Sequence, residues 1–159
     1  LVMLDGVAAD NQSNLASIFS TLSNMAVIDG RIYAKDTVRN KWMGETQTYA
    51  FGAHMKVKNR YLKAAGDSVV GHTMYRNVSI TAITCKFKQT LSQASQLMII
   101  KNGDFANPIH TINVTGVDKY TINTLDLPLV ANDYIQVYVA GGDVRNPSVI
   151  IETSYTESL

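Results

Sequence analysis

The feature that most limits the fold is a succession of short alternating segments between residues 78 and 155. Within 78–88, Ile83, Cys85 and Phe87 alternate with Thr84, Lys86 and Lys88, which sends the two sets to opposite faces of a strand. The segment 96–101 follows, closed by Asn102-Gly103, a pair that tolerates the positive φ of a tight turn. Further strand patterns cover 109–114, 120–127, 134–140 and 149–155, with Gly, Asn and Asp in the turns between them. In 134–140, Ile135, Val137 and Val139 share one face, and Tyr134, Gln136 and Tyr138 take the other. Short strands at this even spacing predict a mainly β fold, an antiparallel β-sandwich of jelly-roll type.

Upstream the pattern is different. Leu15, Ile18, Leu22 and Met25 follow a 3-4-3 spacing, with Phe19 and Ala26 widening the stripe, so a helix is expected over 10–26 with Asp10 or Ser13 as its cap. About two heptads are marginal in water on their own. The stripe therefore needs a partner, either the sandwich or a bundle with copies of itself. Val27-Ile28, Asp29-Gly30 and Arg31 to Ala34 read as a strand end, a turn and a return strand. Trp42, Tyr49 and Phe51 then bring aromatics into a weakly alternating connector. The expected organisation is an N-terminal helix and attachment segment over 1–45, a connector over 46–60 and the sandwich over 61–159. The last begins with YLKAAGDSVVG, where Gly66-Asp67 signals a turn and Gly71 a second bend.

Composition bounds the function. The chain has 159 residues, 46% apolar and only 17% charged, which suits a core-bearing domain with part of its surface covered by other subunits. Fourteen basic and thirteen acidic residues leave a net charge of +1, so neither nucleic acid nor an anionic membrane is an expected partner. No apolar run approaches the roughly 20 residues of a membrane span. The first residues lack a basic start and a long apolar stretch and do not begin with Met, so the chain reads as a piece of something longer rather than as one opening on a signal peptide. A single cysteine, Cys85, excludes an internal disulfide and is expected as a small buried hydrophobe in a protein made in a reducing compartment. The sequons at Asn11, Asn77 and Asn113 do not outweigh that.

Catalytic chemistry finds no foothold. His54, His72 and His110 lack metal-ligand spacing, and there is no nucleophile elbow, phosphate loop or dinucleotide fingerprint. Asp67, Asp104, Asp118, Asp133 and Asp143 sit in turns, where bonding to the backbone accounts for them. No catalytic, metal-binding or cofactor-binding residue is nominated, and a non-enzymatic protein is expected. The candidates for receptor or subunit contact are the outward Tyr134 and Tyr138 together with Phe105, Asn107, Asp143, Arg145 and Asn146 in two loops. Leu15, Ile18, Phe19, Leu22 and Met25 are the candidates for a trimer or attachment helix.

One phrase points to a family. YLKAAGDSVVG resembles the Tyr-Leu, Gly-turn, two-apolar, Gly punctuation of bacteriophage tail-fibre and tail-spike proteins, where a shaft gives way to a globular tip. Beyond it, Ile100-Lys-Asn-Gly103 followed by Leu129-Val-Ala-Asn-Asp-Tyr-Ile-Gln-Val-Tyr-Val139 is similar in layout to trimeric phage fibre-tip sandwiches of the tumour-necrosis-factor/complement jelly-roll type. The resemblance covers residues 61–159 and concerns structure, so no catalytic residue is carried over. It implies a homotrimer in a virion, a tail-fibre, head-fibre, collar or decoration component assembled in the bacterial host cytoplasm. Its implied partners are other virion proteins and a host cell-surface glycan or protein. The alternative is a monomeric carbohydrate-binding β-sandwich module.

Overall fold

The computed structural model describes residues 2–64, 69–88 and 93–157, with side chains from residue 10 onward. The Gly66-Asp67 turn lies outside the described residues. Two compact units divide the chain, one made of 1–45 with 156–159 and the other of 46–155.

The first unit opens with helix α1 (Val2–Ser23), followed by β1 (Met25–Ile28) and β2 (Arg31–Asp36) and by the start of β3 (Lys41–Gly52), which runs on into the second unit. The helix begins well before the expected start, so neither Asp10 nor Ser13 caps it. Met25, expected as the last member of the helical stripe, lies in β1 instead. Asn24 makes the break: its N–H donates to Thr21 O (3.2 Å) and its amide to Ser20 O (3.0 Å). The β-branched Val27 and Ile28 that follow favour an extended chain. Strands β1 and β2 pair antiparallel from Met25↔Ala34 to Ile28↔Arg31. Asp29 (φ 50°) and Gly30 (φ 74°) form the primed turn that suits the right-handed twist of a hairpin. At the next corner Asp36 Oδ1 accepts the N–H groups of Val38 (2.9 Å) and Arg39 (3.0 Å), and Arg39 closes an ion pair at 2.6 Å.

The second unit continues with β4 (Lys56–Val57), β5 (Arg60–Tyr61), β6 (His72–Thr73), β7 (Val78–Lys86), β8 (Ser95–Lys101) and β9 (His110–Asn113). It ends with β10 (Lys119–Ile122), β11 (Leu127–Leu129), β12 (Tyr134–Gly141), β13 (Val144–Arg145) and β14 (Ser148–Glu157). One sheet has the order β1-β2-β3-β14-β7-β10, with β11 also on β7; the other has β5-β12-β8-β9, with β6 also on β12. Strand β13 pairs with β4. The chain alternates between the sheets (β7, then β8 and β9, then β10 and β11, then β12, then β14), and neighbours pair antiparallel. This is jelly-roll wiring, so the expected sandwich class is the one the chain adopts.

The core follows the alternation. Ile135, Val137 and Val139 of β12 are fully buried, and Val137 and Val139 oppose the equally buried Ile99 and Leu97 of β8. From the other sheet come Ile83 and Cys85 of β7, with Phe87 just beyond its end, and Val149 and Ile151 of β14. Strand β7 departs from strict alternation in its first half: Val78 to Thr81 are all buried, and Ile80 and Ile83, three residues apart, are both fully buried. The pairing with β14 slips there, from Ala82↔Glu152 to Ile80↔Thr153, so Thr81 is the extra residue of a β-bulge. Its hydroxyl donates to Glu152 Oε1 (2.9 Å) and its carbonyl accepts Leu125 N–H (3.2 Å). The same irregularity divides the single strand expected over 120–127 into β10 and β11, which pair with β7 on either side of the bulge.

Candidate functional site

Two surfaces invite function, one in each unit. In the first, the apolar stripe of α1 is open: Leu15 is 52% exposed, Ile18 54%, Phe19 67% and Leu22 58%. The hairpin repeats the theme. The β1–β2 register sets Met25 with Ala34 and Val27 with Ile32 on one face, and Val27 (73%) and Ile32 (64%) are as open. Tyr33, on the opposite face with Ala26, is buried. From residue 11 to residue 28 there is no charged side chain.

In the second unit, β3, the 53–64 segment, His72, β12 and residues 146–148 enclose a groove of about 1220 Å³. Its aromatic walls are set by strand geometry. Tyr61 of β5 faces Tyr138 of β12 directly across the ladder, and the rings meet edge to face at 5.0 Å and 75°. His72 sits 5.0 Å from both the Tyr49 and the Phe51 rings, which project from the same side of β3 two residues apart. Tyr49 is held from behind: its hydroxyl donates to Gln47 Oε1 (2.9 Å), Gln47 Nε2 donates to the Tyr155 hydroxyl (2.7 Å), and that hydroxyl bonds Tyr75. Burial pushes the Tyr49 phenol above its usual range. At the rim, Asn59 takes positive φ (47°) and accepts Gly141 N–H on its Oδ1 (2.7 Å). Among the described residues that line the groove are Arg60, Lys63, His54 and His72, and no Asp or Glu.

The expected contact residues divide. Tyr138 and Asn146 line this groove, and Phe105 joins through Tyr138, its ring 4.7 Å away at 83°. Asn107 is turned to its own loop, where its amide donates to the Asp104 carboxylate (3.0 and 3.2 Å). Tyr134 pairs with Thr73 of β6, and its N–H donates to Asn102 Oδ1 (2.9 Å). Asp143 is engaged by Lys56 at 2.6 Å, and that hydrogen bond holds its carboxyl below the usual range. Arg145 is exposed in β13, opposite Lys56 in β4.

Asp133, read from sequence as a simple turn carboxylate, does more. It accepts Asn102 Nδ2 on Oδ1 (2.7 Å), and Val130 N–H (2.8 Å) and Lys101 Nζ (2.7 Å) on Oδ2. Burial pushes this carboxyl up, but the hydrogen bonds from Lys101, Asn102 and Val130 outweigh it and hold the group below the usual range. The Lys-Asn-Gly and Asn-Asp-Tyr-Ile phrases of the resemblance are thus the two halves of one network.

The sequence reading missed Tyr49, Arg60, Tyr61, His54 and His72 as a group, because they come from separate strands. A signal was present: between Glu45 and Asp67 the chain carries Lys56, Lys58, Arg60 and Lys63 and no carboxylate. Cys85 is fully buried, and desolvation pushes its thiol up to about 12. Among the described residues no group of three or more His, Cys, Asp or Glu could hold a metal ion, and no helix is long and apolar enough to cross a membrane.

No family model and no curated protein matches the chain. Among solved structures it is similar to the acidic stable capsid structure of Helicobacter pylori bacteriophage KHP30, at 9% identity and a TM-score of 0.48, covering 75% of this chain and 93% of that one. It is also similar to a low-affinity xylan-binding module, CBM86, from Roseburia intestinalis (16% identity, TM-score 0.33, 84% of this chain and 83% of that one). A third is the VP2 subviral particle of infectious bursal disease virus (12% identity, TM-score 0.34, 82% and 37%). Viral capsid proteins and a sugar-binding module thus stand side by side, and likenesses this distant carry no argument between them.

Proposed function

We propose that the chain is a non-enzymatic virion structural protein, a homotrimeric phage fibre, collar or decoration component. Its N-terminal units join three copies, and its sandwich projects toward the host surface. The observation that carries the assembly is the open stripe of α1. A helix in a folded protein gains most of its stability by burying its apolar face against a partner. Burying each of Leu15, Ile18, Phe19 and Leu22 against a partner contributes about 1.5–3 kcal/mol. The partner is a second and third copy because the face carries no charge from residue 11 to residue 28, so identical surfaces meet without repulsion. In heptad terms Leu15 and Leu22 take one core position and Ile18 the other, and Leu at a with Ile at d favours bundles of more than two strands. The resemblance of the 61–159 pattern to phage fibre tips supports the virion setting. A chain with one buried thiol is compatible with assembly in a reducing bacterial cytoplasm.

The test is light scattering on the wild-type chain and on Leu22→Asp, followed by incorporation into particles. The expected mass is three times that of the chain. The variant, which places an unpaired charge in a desolvated contact, should dissociate or aggregate and fail to enter particles. A wild-type monomer at micromolar concentration, or a Leu22→Asp variant that remains trimeric, would overturn the reading.

A further inference from the structure

We propose that a basic end of the second unit binds a flexible phosphodiester polymer of the kind displayed on a bacterial surface. The net charge of +1 for the whole chain hides this end. In β7, Cys85 faces the core and Lys86 faces out, directly opposite Lys119 of β10. Two residues on, Lys88 donates its N–H to Arg145 O (3.0 Å). Arg145 stands opposite Lys56 in the β13–β4 ladder, and Lys58 follows just beyond it. All six side chains are exposed. The carboxylates among them are Asp118, beside Lys119, and Asp143, which Lys56 engages at 2.6 Å. Six cations less two carboxylates leave +4 at this end. The undescribed residues 89–92 are Gln, Thr, Leu and Ser, which add no charge. Val69, which follows the undescribed segment holding Asp67, is held by Gln136 Nε2 (2.8 Å), near the end of β12 away from Asp143.

Two pairs of like charges thus stand directly opposite across a ladder, Lys86 with Lys119 and Lys56 with Arg145, and each pair weakens the fold. Sequences break such local rules chiefly where function requires it. Five of the six cations are Lys, which protein interfaces disfavour and which phosphates accept as point charges. The run passes from the outer face of the large sheet to a separate two-stranded ladder. A polymer that bends can meet all of it, whereas a nucleic-acid duplex is stiff over many turns. The bacterial-surface source rests on the reading that the sandwich projects toward the host; the phosphate chemistry does not.

The test is calorimetric titration of poly(glycerol phosphate) into the wild type, the double variant Lys86→Gln/Lys119→Gln, and Lys58→Gln. Duplex DNA and polyglutamate at matched charge form the other arms, and light scattering is run on the same samples. The polymer should bind at low salt, with log K falling against log salt at a slope of about −4 if six contacts contribute roughly 0.7 each. The double variant should bind about tenfold or more weakly, with a shallower slope, and Lys58→Gln should also weaken binding. The double variant should melt no lower than the wild type, because it removes a repulsive pair. No binding at low salt, an unchanged affinity in the double variant, or equally tight binding of duplex DNA or polyglutamate would each overturn the proposal. A trimer that binds no polymer overturns it and leaves the assembly reading standing. A monomer that binds the polymer overturns the assembly reading and leaves the phosphate site.

Discussion

At Gly71 the backbone comes so close to β12 that a Cβ placed there would lie 2.1 Å from the Ile135 carbonyl oxygen. Its φ of +96° is also one that L side chains rarely adopt. Glycine is therefore required twice over, and the second bend in YLKAAGDSVVG has its explanation in a strand 64 residues away in sequence. Gly71→Ala should cost about 2 kcal/mol or more from the strained φ and the clash together, read as a lowered urea midpoint. An unchanged midpoint would mean that this segment does not lie against β12. That the residue was a turn glycine was legible locally. The carbonyl it must clear was not.

At the scale of elements, alternation did most of the work, and it failed where a strand carries an irregularity. Period-2 reading of β12 and of residues 83–87 placed Ile135, Val137, Val139, Ile83, Cys85 and Phe87 inside, and all are buried. Ile135→Ala should therefore cost about 2–5 kcal/mol by chemical denaturation, because a packed sandwich cannot collapse into the space left. A loss well below 1 kcal/mol would mean that the site relaxes or that the strand phase is wrong. The bulge at Thr81 has no local signature, since nothing in Ser-Ile-Thr-Ala-Ile announces which residue is unpaired. It exists because β14 on one side, and β10 and β11 on the other, set their own registers against β7. The helix shows the converse. Its stripe was plain from 3-4-3 spacing, but Met25 satisfied the same spacing and still went to β1, where the Asp29-Gly30 turn gives it Ala34 as a partner.

For the whole molecule, the division at Glu45/Thr46 makes a direct prediction. A chain lacking residues 1–45 should keep its far-UV β signal and its cooperative melt, because the buried side chains from Phe51 to Tyr155 all belong to the second unit. On the proposed reading it should also be monomeric in light scattering, with a melting temperature that no longer depends on concentration, whereas the full chain's should rise with concentration. If the truncated chain unfolds outright, the first 45 residues support the sandwich itself. If it remains trimeric, the sandwich faces carry assembly and the helix does not.

What the sequence determined by itself was whatever repeats with the period of the backbone. Side chains alternate every two residues in a strand and recur every 3.6 in a helix, so class, inward faces and the apolar stripe of α1 could be read from one dimension, whereas the exposure of that stripe could not. The Asn102-Gly103 and Asp29-Gly30 turns were likewise readable, since both pairs favour a positive φ that any chain must accommodate locally. The tertiary structure alone decided what meets across distance. It brought Tyr49, Tyr61, His72 and Tyr138 from four strands to one groove, and joined Lys101-Asn102 to Asp133. It also left Asn107 bonded to its neighbour rather than to a partner. Pairing between strands depends on register and sheet order, which the topology as a whole fixes and which no short window of residues encodes.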